Sequence, residues 1–144
     1  MHNYGYACIN MGFSSLPKSQ RITTNRTMIK RTFHDRGIEY ASELALQNLR
    51  DLRTILEWNL ENDIYFYRLS SDIIPWASEY NLEDMPNYGA IHAAALSAGN
   101  FARQHNMRLT SHPGPFNKLA SPKERVFQLT KTDLSVHGDL FDLI

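Results

Sequence analysis

The sequence predicts an α/β protein built from three strand–helix units whose strands run parallel. Three apolar runs of strand length alternate with stretches that carry apolar residues at the three- and four-residue spacing of a helix. The segments between the strands are much longer than a hairpin turn and contain helices, so successive strands should be parallel with right-handed crossovers. With 144 residues and 42% hydrophobic content, we assign residues 1–144 to a single domain.

The first strand and the connection after it carry two candidate functional features. Tyr4 to Asn10 is a run of aromatic and small residues that ends in an amide, which is typical of a buried strand. Asn10 is either a turn residue or a site residue at the strand end. Residues 11–40 lose this periodicity and form a long connection. Within it lies a basic segment, residues 18–36, which either contacts phosphate groups or keeps the connection hydrated. Its charged residues are Lys18, Arg21, Arg26, Lys30, Arg31, Asp35 and Arg36.

The second unit is a helix followed by a strand. Ser42 can cap a helix that continues to about Glu61, because apolar residues recur at steps of three and four along one face. Ile64 to Leu69 is a largely apolar run of strand length. Three polar residues follow this strand, namely Ser70, Ser71 and Asp72. Asp72 is either a ligand or substrate contact at the strand end, or a cap for the next turn.

The third unit repeats this order and is followed by a last helix. We predict a helix from about Gly89 to Asn106, and a strand from Met107 to Ser111 that runs directly into His112. His112 is either a metal ligand or general base, or a polar residue satisfied at the strand end. The pattern Ser121-Pro122-Lys123-Glu124 predicts the start of the last helix. His137 on that helix is interpreted as a packed, hydrogen-bonded histidine, with a catalytic or ligand role as the alternative.

The polar residues at the strand ends should lie close together. In a parallel sheet the carboxyl ends of all strands are at the same edge, so Asn10, Ser70 to Asp72 and His112 share that edge. Three separate polar strand ends at one edge favour a functional site there. The sequence contains neither a Gly-rich phosphate loop nor the Cys-x-x-Cys and His-Glu-x-x-His metal motifs.

Composition narrows the classes of function. The net charge is zero, so any contact with nucleic acid has to come from local clusters. Cys8 is the single cysteine, which excludes an internal disulfide, and no stretch approaches the ~20 apolar residues of a membrane span. With no secretory signal in the first residues, we predict a soluble intracellular protein, cytoplasmic or nuclear, without a membrane partner.

Several segments, taken in order, resemble the N-terminal part of the UV damage endonuclease family. The matching segments are Gly5 to Asn10, Glu43 to Leu49, Ile55 to Asn59, Phe66 to Asp72, Pro75 to Ser78 and the turn His112-Pro113-Gly114. The resemblance implies a partial (β/α) TIM-type barrel, with about three of eight units, and a site for divalent metals, typically manganese, at its C-terminal face. It also implies a DNA repair endonuclease that nicks damaged double-stranded DNA immediately 5′ of UV photoproducts.

The resemblance also assigns roles to individual residues. His112 matches a metal ligand, and Tyr6 and Asn10 match residues near the damaged nucleotides. We group Ser71 and Asp72 with these substrate-binding residues. Pro115 and Phe116 occupy a pair that the family inserts at the lesion, where a glutamine and an aromatic residue are usual. Phe116 keeps an apolar face for an unstacked base, but Pro115 has neither an amide side chain nor a backbone donor, so we expect altered lesion probing.

The length of the chain sets a further expectation. A closed barrel takes about 250 residues, and three units cannot close one. The family's other metal ligands would follow Ile144, so we expect a truncated chain that is inactive alone, or a half-barrel that pairs with another copy through its open sheet edge. Two alternatives are a non-catalytic DNA-binding or oligomerisation fragment, and half of a sugar-isomerase-like barrel.

Overall fold

The computed structural model describes residues 4–144. Three short strands form one sheet: β1 (Gly5–Ala7), β2 (Phe66–Leu69) and β3 (Arg108–Ser111). The strand order is β1-β2-β3, and both neighbouring pairs are parallel. The predicted α/β class with parallel strands is therefore confirmed.

Helices fill the connections between the strands and follow the last one. They are α1 (Met11–Ser14), α2 (Lys30–Glu61), α3 (Tyr88–Gln104) and α4 (Glu124–Leu143). Single turns of 3-10 helix lie at Lys18–Gln20, Ala77–Glu79 and Leu82–Asp84. Because α2 joins β1 to β2 and α3 joins β2 to β3, each long helix returns the chain to the amino end of the next strand.

The hydrophobic core lies between one face of the sheet and helices α2 and α3. The register sets Tyr6, Tyr67 and Leu109 side by side across the three strands, and Tyr67 is 1% exposed. The helices contribute fully buried aliphatic residues, namely Leu49, Leu52, Leu56, Ile91, Ala95 and Ala98. Burying each large aliphatic side chain contributes roughly 1.5–3 kcal/mol, so this contact is what holds the helices on the sheet.

The opposite face of the sheet is open. Ala7, Arg68 and Arg108 alternate with the core residues along the strands and are exposed. Gly5 allows β1 and β2 to approach closely there, because a Cβ atom on it would lie 2.3 Å from the Phe66 carbonyl oxygen. A sheet with helices on one face and arginines on the other has the architecture of a partial barrel.

The predicted start of α2 at Ser42 is wrong. The helix begins at Lys30 and bends at Gly37, whose φ of 66° and ψ of −161° are accessible to glycine alone. Ser42 lies inside the helix and is fully buried, and its hydroxyl accepts a hydrogen bond from the backbone N–H of Asn87 at 3.1 Å. Ser42, which the sequence indicates as a helix cap, therefore connects α2 to the start of α3 through this hydrogen bond.

The boundaries of the other elements lie closer to those predicted from the sequence. The first strand ends at Ala7, not Asn10, and α4 begins at Glu124, with Ser121 accepting the Lys123 N–H at 3.2 Å just before it. Leu129, an apolar residue of α4, is 61% exposed and lies outside the core. No helix within residues 4–144 is long and apolar enough to cross a membrane. The predicted absence of a signal sequence rests partly on residues 1–3, which lie outside the described residues.

Candidate functional site

A buried tyrosine of β2 organises the turn after β1. Cys8 has a φ of 62°, in the left-handed region, and the chain leaves the sheet at this residue. The Tyr67 hydroxyl donates to the Cys8 carbonyl oxygen at 3.0 Å and lies 3.1 Å from the Thr24 hydroxyl. Asn25 Nδ2 donates to the same carbonyl at 3.0 Å. Part of the basic segment is thereby held over the end of β1, and burial raises the pKa of the Tyr67 phenol, which stays a neutral donor.

Tyr6 and Asn10 form a separate hydrogen-bonded group between β1 and α2. Asn10 Nδ2 donates to the Tyr6 hydroxyl at 2.9 Å, and that hydroxyl donates to Asn59 Oδ1 at 2.7 Å. Asn10 Oδ1 accepts the Phe13 N–H at 3.2 Å and caps α1. Asn10 is 5% exposed, and burial raises the pKa of the Tyr6 phenol. These bonds support the interpretation of Asn10 as a turn and cap residue.

The end of β2 presents a carboxylate at the surface. Ser70 is buried, and its hydroxyl accepts the backbone N–H of Asp72 at 3.3 Å, which forms a short serine turn. Ser71 and Asp72 are exposed. The Asp72 carboxylate accepts no hydrogen bond from residues 4–144, so the capping alternative for its side chain is not what the structure shows.

The end of β3 is joined to α4 by a serine–histidine hydrogen bond. Ser111 Oγ lies 2.9 Å from His137 Nδ1, and His137 is 7% exposed. Burial lowers the pKa of the His137 imidazole; the carboxylates of Asp133 and Asp72 oppose this effect, and His112 adds to it. His137 is therefore a neutral imidazole at neutral pH, within electrostatic range of these three groups. The interpretation of His137 as a packed, hydrogen-bonded helix residue is confirmed.

The loop that follows β3, residues 112–116, projects into solvent. His112 and Pro115 are exposed, and the Phe116 ring is 85% exposed. A recess of about 1020 Å³ lies between this loop, the residues that follow it and the first turns of α4, and Leu119 and Leu129 expose apolar surface beside it. An exposed aromatic ring next to an apolar recess is suited to contact with a flat, apolar ligand surface.

The structure thus gathers some of the predicted site residues and separates others. Asp72, His112 and Asp133 each act electrostatically on His137, whereas the polar atoms of Tyr6 and Asn10 are bonded to each other and toward α2. The sequence interpretation missed Thr130 and Asp133, which bond to Lys118 and Asn117 directly after the loop that follows β3. Their spacing with His137, three and then four residues along α4, was the available signal.

A metal centre is not complete within the described residues. Across residues 4–144, no group of three His, Cys, Asp or Glu side chains is arranged to hold a metal ion. A transition metal takes three or four protein ligands in most sites, and His112 offers one. The donor set of this segment therefore does not fit a metal on its own.

The basic segment divides into structural and exposed cations. Arg26 forms an ion pair with Asp51 at 2.7 Å and donates to the carbonyl oxygens of Thr23 and Arg21. Arg26 therefore fixes the connection in place, and the phosphate-contact interpretation does not hold for it in this conformation. The cations of the segment that remain exposed are Lys18, Arg21, Lys30, Arg31 and Arg36.

Two known endonucleases are similar to this chain in sequence. The chain is 35% identical over 136 residues to the UV-damage endonuclease of Schizosaccharomyces pombe, a match that covers 94% of this chain and 22% of that protein. It is 29% identical to the UV DNA damage endonuclease of Clostridium perfringens, covering 93% of this chain and 32% of the relative. The chain thus spans about a fifth to a third of these two relatives.

A solved structure has a fold similar to that of this chain. The crystal structure of SacUVDE, at 29% identity, superposes with a TM-score of 0.79 and covers 96% of this chain and 44% of that one. This agreement confirms that the three parallel strands and their helices are part of a (β/α) barrel. The model of the UV-endonuclease UvdE family matches residues 2–144. The chain belongs to the UV-endonuclease UvdE family.

Proposed function

We propose that this chain forms the N-terminal part of a metal-dependent DNA repair endonuclease that nicks damaged double-stranded DNA 5′ of UV photoproducts. Family membership across residues 2–144 is the observation that carries the proposal. The position of Asp72 and His112 just after the carboxyl ends of β2 and β3 supports it. In barrels of this kind, the reactive groups collect at that edge.

The metal requirement is a proposal for the complete protein. We propose manganese, the metal that the family resemblance implies, with His112 as one ligand because His112 is exposed at the end of β3. Residues 4–144 supply no full ligand set. The other ligands would then come from outside residues 4–144. The 144-residue chain is accordingly expected to lack nicking activity on its own.

Contacts with the damaged DNA are proposed for two classes of residue. Ser71, Asp72, Pro115 and Phe116 are exposed and can meet a duplex without rearrangement. Tyr6 and Asn10 can contact nucleotides through polar atoms only by exchanging their present hydrogen bonds for bonds to DNA. We therefore expect the loop after β3 to make the first contact.

A nicking assay, combined with a binding measurement on the same duplexes, tests this function. A 5′-labelled duplex with one photodimer is incubated with the chain in the presence of Mn²⁺, and the same duplex without the lesion serves as the control. The expected result is preferential binding of the damaged duplex without cleavage. Nicking 5′ of the lesion by the 144-residue chain would contradict the incomplete metal site, and equal affinity for the two duplexes would contradict the repair function.

A second candidate is a non-catalytic module that binds DNA or assembles with another copy. The exposed cations of the basic segment favour DNA binding, since exposed Lys and Arg can neutralise phosphates. The outer strands β1 and β3 each pair on one side only within the described residues, which leaves edges for a second copy. Salt-dependent binding that ignores lesions would favour the first form, and a dimeric mass in light scattering the second.

A further inference from the structure

One face of α4 carries three polar residues that bond to the chain on both sides of the loop after β3. Thr130, Asp133 and His137 are spaced three and four residues apart, which places them on one face of the helix. Lys118 N–H donates to Thr130 Oγ1 at 2.9 Å, and Asn117 Nδ2 donates to Asp133 Oδ2. With the His137 bond to Ser111, helix α4 fixes residue 111 before the loop and residues 117 and 118 after it.

The hydrogen bonds made by this face of α4 have defined donors and acceptors. Thr130 is 2% exposed, and its hydroxyl donates to the Val126 carbonyl oxygen at 2.8 Å, which leaves a lone pair to accept the Lys118 N–H. Asn117 Nδ2 also donates to the Gly114 carbonyl oxygen at 3.0 Å, so the same amide joins the loop interior to α4. Bonds of this kind order backbone that would otherwise be mobile.

The loop held in this way, residues 112–116, exposes the aromatic ring of Phe116 to solvent. Pro113 and Pro115 restrict φ within residues 112–116. Phe116 is 85% exposed, so its position is set by the backbone and not by burial of the ring. A ring carried on backbone that is ordered before binding costs less conformational entropy when it contacts a ligand than a ring on a mobile loop.

We propose that Thr130, Asp133 and His137 are positioning residues that hold residues 112–116 in the conformation needed to distinguish damaged from undamaged DNA. This inference rests on the proposed function, which supplies its ligand, damaged DNA. It predicts that α4 controls the preference for the lesion, whereas general affinity for duplex DNA depends on the exposed cations and does not change.

Amide hydrogen exchange tests the positioning without DNA. Thr130→Val is isosteric but removes the acceptor for the Lys118 N–H, and Thr132→Val removes a hydroxyl from the exposed face of the same helix as a matched control. We expect exchange of the Asn117 and Lys118 amides, which are the hydrogen-bonded amides found within residues 112–118, to accelerate about tenfold or more in Thr130→Val and to stay unchanged in Thr132→Val. Exchange in α3 should be equal in both variants, which separates local release from unfolding.

Binding measurements test the consequence for recognition. Asp133→Leu removes the acceptor for Asn117, Asp133→Asn keeps an acceptor oxygen, and Asp139→Leu removes an exposed carboxylate elsewhere on α4. The ratio of affinities for photodimer and undamaged duplexes should fall toward one in Asp133→Leu. It should be retained in Asp133→Asn and Asp139→Leu, with undamaged-duplex affinity unchanged in all three.

The outcomes separate this inference from the proposed function. Unchanged exchange in Thr130→Val, or an unchanged lesion preference in Asp133→Leu, overturns the inference while the wild-type preference still supports the function. A wild-type chain with no lesion preference contradicts the function and removes the recognition role, and the exchange measurement then decides whether α4 holds the loop. Equal loss of preference in Asp139→Leu would also overturn the inference.

Discussion

The Tyr67 hydroxyl donates a 3.0 Å hydrogen bond to the carbonyl oxygen of Cys8. This bond joins the central strand to the left-handed residue at which the chain turns away from β1. The same hydroxyl lies 3.1 Å from Thr24, so one buried phenol connects the sheet to both the turn and the basic segment. Its position under the carboxyl edge makes it a structural support for the site.

Tyr67→Phe should lower the free energy of unfolding without altering the fold. The substitution keeps the buried ring but leaves the Thr24 hydroxyl, which is fully buried, without its partner. An unsatisfied buried group costs about 1–3 kcal/mol, and we expect a loss in that range by urea denaturation. Tyr65→Phe is the control, because no hydrogen bond of the Tyr65 hydroxyl is found within residues 4–144. A loss no larger than in this control would refute the prediction.

Asn48→Leu should be more destabilising than Tyr67→Phe. Asn48 is fully buried on α2, donates to the carbonyl oxygens of Arg26 and Ile73 and accepts the Arg26 N–H. Leucine of similar size leaves three backbone groups without this partner, and we expect a loss of roughly 3 kcal/mol or more in the free energy of unfolding. Gln47→Leu, at the exposed neighbouring position, should change it by less than about 0.5 kcal/mol. Comparable losses in both variants would count against the bonding role of Asn48.

Gly37→Ala should destabilise the bend in α2. Its backbone lies where φ is 66° and ψ is −161°, and a Cβ atom would approach Glu39 Oε2 to 2.8 Å. Such a conformation costs a residue with a side chain about 1–3 kcal/mol. In contrast, Gly138→Ala on α4, where a Cβ atom meets nothing within 4 Å, should stabilise by roughly 0.5–1 kcal/mol. Thermal unfolding of the two variants should therefore shift in opposite directions, and a shift in the same direction would contradict the strain at Gly37.

The elements that the sequence predicted well are those with local signals. Helix α3, predicted from Gly89 to Asn106, spans Tyr88–Gln104, because its apolar residues face the sheet at regular helical spacing. The start of α2 was missed because residues 30–40 carry no such stripe and contain Gly37. The backbone at Gly37 is non-helical and interrupts α2, but the helix resumes directly after it, so Ser42 lies inside the helix and is buried against the start of α3.

The sequence predicted that His112 and Asp72 follow the strand ends, but it did not predict the hydrogen bonds around them. His112 and Asp72 follow their strands as the pattern indicated, because the edge at which parallel strands end is fixed by topology. The pairing of Ser111 with His137 spans 26 residues, and that of Asn117 with Asp133 spans 16. The spacing of Thr130, Asp133 and His137 indicates that they share one face of α4, but it does not indicate which distant residues they bond to, so only the folded chain shows the partners.

The free energy of unfolding should fall on acidification, in part through His137. Burial lowers the pKa of this imidazole below its ordinary value of 6.5, although the carboxylates of Asp133 and Asp72 face it, and His112 adds to the lowering. Between the two pKa values the unfolded chain binds a proton that the native chain does not, so stability decreases as the pH falls through 6.5 toward the native pKa.

His137→Asn tests this contribution, since an asparagine oxygen can accept a hydrogen bond from Ser111 but does not titrate. Urea denaturation at several pH values from neutral to mildly acidic should show a shallower pH dependence in His137→Asn than in the wild type. His105→Asn, at the C-terminal end of α3, is the control for removing a histidine elsewhere. Identical pH profiles for the wild type and His137→Asn would show that the imidazole is protonated equally in the folded and unfolded chains, and would refute its neutral, buried state.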